Sequence, residues 1–341
     1  MSQTLADIGE FGLIDRIHTL LQKEGLSFPD ITLGIGDDTA AFRAREGYEL
    51  LVTCDAMVEG RHYLPEHISP LNLGRRAMAL NISDIGAMGG RPLYALVSLG
   101  LKAETPVTDV EAMYRGFIAE LNPMGASIIG GNVTKSENVA FVDITLIGEV
   151  EQGKMLHRSA AKPGEAILVT GYPGQAAAGL YLLLKAQPNE DLSKHPLVRI
   201  FNTPSHRARE GRAIAQSGYA SAMIDTSDGF LGDLGHICKE SGVGARLILE
   251  KLPVTELLSE FATQMGRDPF DLVLGESDDY ELIITCPVEK VDGIRSAVAA
   301  VSEVHVTEVG RITEASQGIK LLQPDGIERA VTAAGWDHFS K

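Results

Sequence analysis

Apolar runs of strand length alternate with helical stripes along most of this chain, and no other feature limits its fold as much. In the second half, residues 166–170, 222–224, 245–249, 281–285 and 304–312 read as strands. Residues 175–185, 205–217 and 231–241 between them read as helices, and 188–195 reads as a polar loop. Strands separated by helices of this length build an α/β layer. The first half is more mixed. A helix is predicted over 10–24 and stopped by Gly25, and a strand over 48–53 delivers Asp55 at its end. A helix over 70–88 has Leu71, Leu73, Ala77, Leu80 and Ile85 on one stripe and is closed by Gly89-Gly90. Strands at 92–101, 126–129 and 139–150 and a helix at 107–122 complete this half. Polar turns at 151–154 and 161–164 put a boundary between residues 1–152, an α+β domain, and residues 153–341, an α/β domain.

A length of 341 residues suits two domains. The net charge of −16 argues against a nucleic-acid partner, which requires basic patches. It is compatible with carboxylates gathered around metal ions. Cys54, Cys238 and Cys286 are odd in number and far apart, with no disulfide framework and no zinc-binding spacing, which fits a reducing cytoplasm. The N-terminus shows neither a basic nor an apolar signal region, and no apolar run reaches the length of a membrane span. The expectation is a cytoplasmic protein without a membrane partner.

Acidic segments of similar form recur along the chain. Leu33-Gly34-Ile35-Gly36-Asp37-Asp38-Thr39-Ala40 is a tight glycine turn ending in adjacent carboxylates, which repel each other unless a cation sits beside them. Thr53-Cys54-Asp55, Asn81-Ile82-Ser83-Asp84 and Asp225-Thr226-Ser227-Asp228-Gly229 repeat the pattern of a carboxylate beside Gly, Ser or Thr. On a helix Asn81 and Asp84 share a face, and Asp225 and Asp228 bracket a turn. Oxygen ligands on separate loops suit several Mg²⁺ ions that bridge nucleotide phosphates. The plainer reading of Asp84 and Asp228 is helix capping. Gly130-Gly131-Asn132-Val133-Thr134 reads as a turn that can offer backbone N–H groups to a phosphate. The P-loop and dinucleotide glycine fingerprints are both missing.

Taken in order, these segments resemble the thiamine-monophosphate kinase family, in the superfamily of aminoimidazole ribonucleotide synthetase, selenophosphate synthetase and the hydrogenase-maturation dehydratase. The resemblance runs nearly end to end. It is carried by Phe11-Gly12-Leu13-Ile14, the Gly34–Ala40 turn, Asp55-Ala56-Met57-Val58-Glu59-Gly60-Arg61-His62-Tyr63 and Asn81-Ile82-Ser83-Asp84-Ile85-Gly86-Ala87-Met88-Gly89. His157-Arg158-Ser159-Ala160-Ala161-Lys162-Pro163-Gly164, Ile224–Gly229 and the terminal Gly335-Trp336-Asp337-His338-Phe339 complete it. The sister families do not end in this last way.

The resemblance implies an N-terminal α+β domain whose sheet forms a homodimer, a C-terminal α/β domain, and ATP-dependent phosphorylation of thiamine monophosphate to thiamine diphosphate with several Mg²⁺ ions. It carries metal ligation to Asp37, Thr53, Cys54, Asp55, Asp84, Asn132, Asp225 and Asp228. It carries ATP contacts to Tyr114, Gly131, Asn132, Arg158 and Ser227, and thiamine contacts to His62, Asp278 and Trp336. No general base is implied, since the acceptor is already a phosphate anion. The chain departs from the family in three places. Asn132 replaces an aspartate, Cys54 replaces Thr, and Glu276-Ser277-Asp278-Asp279-Tyr280-Glu281-Leu282 stands for Gly-Gly-Glu-Asp-Tyr-Glu-Leu. These changes leave open a kinase of the same fold with another acceptor, or a non-catalytic binder of nucleotide or thiamine phosphate.

Overall fold

The computed structural model describes residues 3–35, 39–187 and 190–332. Its contacts divide the chain into two units, Met1–Ile85 with Gly90–Gln152, and Gly86–Gly89 with Gly153–Lys341. A single cut in the sequence cannot express this division, because the end of one helix is counted with the second unit.

The first unit contains α1 (Leu5–Glu24), β1 (Ile31–Leu33), β2 (Ala41–Phe42), β3 (Tyr48–Val58), α2 (Pro70–Ala87), β4 (Arg91–Leu101), α3 (Val107–Leu121), β5 (Ser127–Lys135) and β6 (Phe141–Glu151). Four strands form one sheet in the order β3-β6-β4-β5, and β1 and β2 form a separate ribbon. The β3–β6 pairing is antiparallel and continuous from Tyr48 opposite Glu151 to Val58 opposite Phe141. β3 therefore does not end before Asp55. The partner strand continues it to Val58, and Asp55 sits mid-strand.

Side chains alternate across this sheet. Leu51, Met57, Val97, Leu99, Ile144 and Leu146 are buried on one face. On the other, Leu50 and Val52 stand in solvent, Val52 at 67% exposure, with Cys54 and Ala56 also exposed. α2 is more deeply enclosed than a one-stripe helix. Ile82, Ile85, Asn81 and Ser83 are all buried, whereas Leu71, expected on the buried stripe, is exposed.

α2 and α3 approach each other through glycines. A Cβ on Gly74 would lie 2.0 Å from the Met113 carbonyl oxygen, and one on Gly116 would lie 2.2 Å from that of Leu71. Gly→Ala on an open helix face stabilises by about 1 kcal/mol. Here the sign should reverse: Gly116→Ala is expected to lower stability by about 1–3 kcal/mol through overpacking, read from the urea midpoint.

The second unit contains β7 (Ala166–Thr170), α4 (Gln175–Lys185), α5 (Pro196–Asn202), α6 (Ala208–Ser217), β8 (Ala222–Asp225), α7 (Phe230–Ser241), β9 (Val243–Ile248), α8 (Glu256–Gln264), α9 (Pro269–Leu274), β10 (Leu282–Cys286), α10 (Val291–Ala299), β11 (Val306–Glu314), β12 (Ile319–Leu322) and β13 (Glu328–Ala330). Its sheet runs β13-β12-β9-β11-β7-β10-β8. Only β12 and β9 pair in parallel; the other neighbours are antiparallel.

Both faces of this sheet are covered, so β7 and β10 are buried at every position and read as mainly apolar runs, with Thr170 and Thr285 their polar members. Ile167, Val169, Ile224 and Ile283 join one cluster with Phe230, Leu234, Leu258 and Phe261. Leu168, Met223, Leu282 and Ile284 join another with Ile214, Ile294 and Val298. α5 and α9 are too short to show a helical period in sequence.

Candidate functional site

In the first unit the expected metal ligands divide by strand parity. Thr53 and Asp55 point to the face that α2 covers, since Ile85 of α2 meets the backbone of Gly148 on β6 there. The Thr53 hydroxyl donates to Oδ2 of Asp84 on α2, so oxygens from residues 31 positions apart meet at one point. Asp84 is half-buried, a cost that a partner or a cation must offset.

Cys54 points the other way. Its Sγ lies 3.2 Å from Oδ1 of Asp143 and accepts from the Thr145 hydroxyl at 3.6 Å. Its side chain is thus separated from Thr53 and Asp84 by the sheet, which alternation imposes on adjacent strand residues.

Gly130, Gly131 and Asn132 correct the expected turn, because all three lie inside β5. They pair in parallel with Leu96, Val97 and Ser98 of β4, after a register shift between Ala95 and Leu96. Glycine at 131 is explained by close approach: a Cβ there would lie 2.0 Å from the Val97 carbonyl oxygen. Asn132 is exposed near the end of this strand. Ser98, between them in register, pairs with Asn132 on one side and with Asp143 on the other.

Two further residues expected at ligands have neighbours within the first unit. The Tyr114 side chain is 3% exposed, packs edge-on against Phe117 with ring centroids 5.2 Å apart, and burial pushes its hydroxyl pKa up. His62 lies in a tight loop after β3, where its Nδ1 accepts the Val58 N–H at 3.0 Å. Glu59 of the same loop holds neighbouring segments by accepting from Lys102 Nζ at 2.7 Å and from the Ala140 N–H at 2.8 Å. Asp37 and Trp336 lie outside the described residues.

In the second unit, Asp225 ends β8 and is 2% exposed. The loop after it leads into α7. Gly229 is required by space as well as by its φ of 114°, since a Cβ would lie 2.3 Å from the Gly275 carbonyl oxygen. Oδ2 of Asp233, inside α7, accepts the N–H groups of Asp228 and Gly229, each at 3.1 Å. Burial pushes the Asp233 carboxyl up to about 7, the nearby Asp228 charge adds to this, and the backbone donors oppose it. One carboxylate oxygen each from Asp228 and Asp233 and a ring nitrogen of His236 lie within 4.8 Å of one another. Arg158 is exposed, and its carbonyl accepts from the Ser241 hydroxyl at 3.2 Å at the far end of α7.

The loop before β10 has a structural function that its sequence did not announce. Asp279 accepts the N–H groups of Gly174 at 2.5 Å and Ala176 at 2.8 Å, and Ser277 Oγ accepts that of Ala177 at 3.1 Å, which caps α4. Burial pushes Asp279 up to about 6 against those donors. Asp278, expected at the thiamine end, stands between Ser277 and Asp279 and is half-buried. Glu281 accepts from Arg207 Nε and Nη2, each at 2.6 Å, and from the Thr170 hydroxyl at 2.7 Å. Arg207 and Thr170 were not anticipated as its partners, because they lie 74 and 111 residues away from it.

Known proteins match this chain along almost its whole length. Residues 36–150 match the family described as AIR synthase related protein, N-terminal domain, and residues 162–321 match AIR synthase related protein, C-terminal domain. The thiamine-monophosphate kinase of Aquifex aeolicus is 33% identical over 98% of this chain and 99% of its own length. That of Salmonella typhimurium is 34% identical over 97% and 98%. Among solved structures, AaThiL complexed with AMPPCP and TMP superposes with a TM-score of 0.76 at 32% identity, covering 99% of this chain and 100% of that one.

Proposed function

The chain belongs to the thiamine-monophosphate kinase family of AIR synthase related proteins, and from that premise we propose how its residues serve ATP-dependent phosphorylation of thiamine monophosphate. The reaction joins an oxygen of the acceptor phosphate to the γ-phosphorus of ATP and breaks the bond to the β-phosphate oxygen, releasing ADP. The acceptor oxygen is already anionic, so the chain needs no general base. The barrier lies in bringing two anions together.

The donor set fits a hard divalent cation. Thr53, Asp55, Asp84, Asp225 and Asp228 offer oxygen only, as Mg²⁺ prefers. Bound Mg²⁺ supplies charge neutralisation and in-line alignment of the phosphoryl groups. The meeting of Thr53 and Asp84 carries this reading, because it converges two elements on one oxygen-lined point. In the first unit Thr53, Asp55 and Asp84 hold metal, Asn132 contributes a neutral oxygen and Gly131 a backbone edge. Asp37 belongs to the same set on the strength of the family resemblance, and any contribution of Cys54 comes from its backbone. In the second unit Asp225 and Asp228 hold metal, Ser227 and Arg158 meet the triphosphate, and Asp278 meets the thiamine end. His62 and Trp336 complete the acceptor contacts by resemblance. The exposed Leu50 and Val52 face of the first sheet supports pairing with a second copy.

The test is ATP consumption by purified protein with Mg²⁺, with and without thiamine monophosphate, while product is separated. Thiamine diphosphate formed in step with ADP supports the reading. ADP formed only with another acceptor would reassign the substrate, and ATP binding without turnover would leave a binding protein.

A further inference from the structure

We infer that Thr226 and Glu281 are positioning residues that fasten the Asp225–Gly229 loop to the 276–281 loop, so that the metal end and the acceptor end of the second unit move as one. The inference rests on the proposed functions of Asp225, Asp228 and Asp278.

Three hydrogen bonds join Thr226 to two consecutive residues. Its N–H donates to the Glu281 carbonyl at 2.7 Å, its carbonyl accepts the Tyr280 N–H at 2.9 Å, and its hydroxyl accepts the Glu281 N–H at 2.9 Å. Thr226 is completely buried and Glu281 nearly so. No water competes for these groups, so each broken bond would leave a desolvated donor or acceptor.

Thr226 stands between Asp225 and Ser227, while Tyr280 lies two residues after Asp278. Tyr280 has φ of 56°, a left-handed conformation that a bulky residue holds only when its surroundings impose it. Those surroundings include Glu281, whose carboxylate is fixed by the two-pronged Arg207 contact and by Thr170. The Thr170 hydroxyl in turn accepts the Leu282 N–H at 2.8 Å. Gly171 leaves room for the carboxylate: a Cβ there would lie 2.0 Å from Oε1 of Glu281. The side chain of Glu281 thus anchors the acceptor-end loop, and its backbone holds the metal-end loop.

Thr226→Val keeps the shape and removes only the hydroxyl acceptor; Thr226→Ser restores it. Amide hydrogen exchange would be followed on the wild type and both variants. In Thr226→Val, exchange should speed up by about tenfold or more in 225–229 and in 276–281 together, with α7 unchanged and Thr226→Ser close to wild type. Faster exchange in one loop alone would overturn the coupling. In kinetics, the KM for thiamine monophosphate and the half-saturating Mg²⁺ concentration should rise together by about tenfold. A lowered melting temperature with both constants unchanged would reduce the contacts to a structural role and likewise overturn the inference. If the wild type made no thiamine diphosphate, the functional reading would fail by itself, and the exchange experiment would still decide the coupling.

Discussion

Asp84→Asn is expected to lower kcat by about a thousandfold while the protein stays folded, because it removes one charge where transferred charge must be neutralised. The substitution is nearly isosteric. The Thr53 hydroxyl, which now donates to Oδ2 of Asp84, retains an amide oxygen to donate to. Side-chain shape and the bond from Thr53 are therefore nearly constant, and the carboxylate charge is what changes. The half-buried setting raises the effect, since fewer waters screen the site than at an exposed carboxylate. Raising Mg²⁺ should recover part of the loss if Asp84 mainly sets affinity, and none if it mainly aligns the phosphoryl group. Steady-state kinetics over a Mg²⁺ series, with the unfolding midpoint as control, would decide. A loss under tenfold at saturating Mg²⁺ would remove Asp84 from the metal set.

The elements that sequence reveals most directly are those whose burial is uniform. β7 and β10 are buried at every position and appear as mainly apolar runs, each with one threonine. α2 also stands out, but its polar Asn81 and Ser83 are as buried as its apolar residues, so a single stripe understates it. Strand length is less legible, since pairing partners set it. β3 continues through Asp55 because β6 accompanies it, and β5 carries Gly131 because the Val97 backbone of β4 comes close there, while a Cβ on Gly130 would crowd the Leu96 side chain. For the site, residue types suggest cation chemistry but not which side chains meet: Thr53 and Asp84 come together although they lie 31 positions apart. Side-chain direction was not legible. The adjacent Thr53 and Cys54 look equivalent in a motif but face opposite sides of a sheet. Nor were the supports of the second-unit loops legible. Arg207, Thr170 and Thr226 meet Glu281 across long sequence separations, and no local spacing encodes such contacts.

Arg207→Met should be the most destabilising single change in this network, at about 3–5 kcal/mol, because it leaves the Glu281 carboxylate buried without a counter-charge. The side chains of Arg207 and Glu281 are only 16% and 6% exposed, so water can rescue little of the loss. Thr170 would still donate one hydrogen bond, which is not enough to hold a charge in the interior. The double variant Arg207→Met, Glu281→Gln separates charge from packing. Glutamine keeps an oxygen for Thr170 and the same shape beside Gly171, and it removes the stranded charge. Its stability should return to within about 1–2 kcal/mol of the wild type, since neutral replacement of a buried pair is often well tolerated. Denaturant unfolding of the wild type, the two single variants and the double variant gives the coupling energy directly. A double variant no more stable than Arg207→Met would show that the guanidinium acts by filling space. In that case Glu281 would be held mainly by its backbone bonds to Thr226, and the two loops would stay joined without the ion pair.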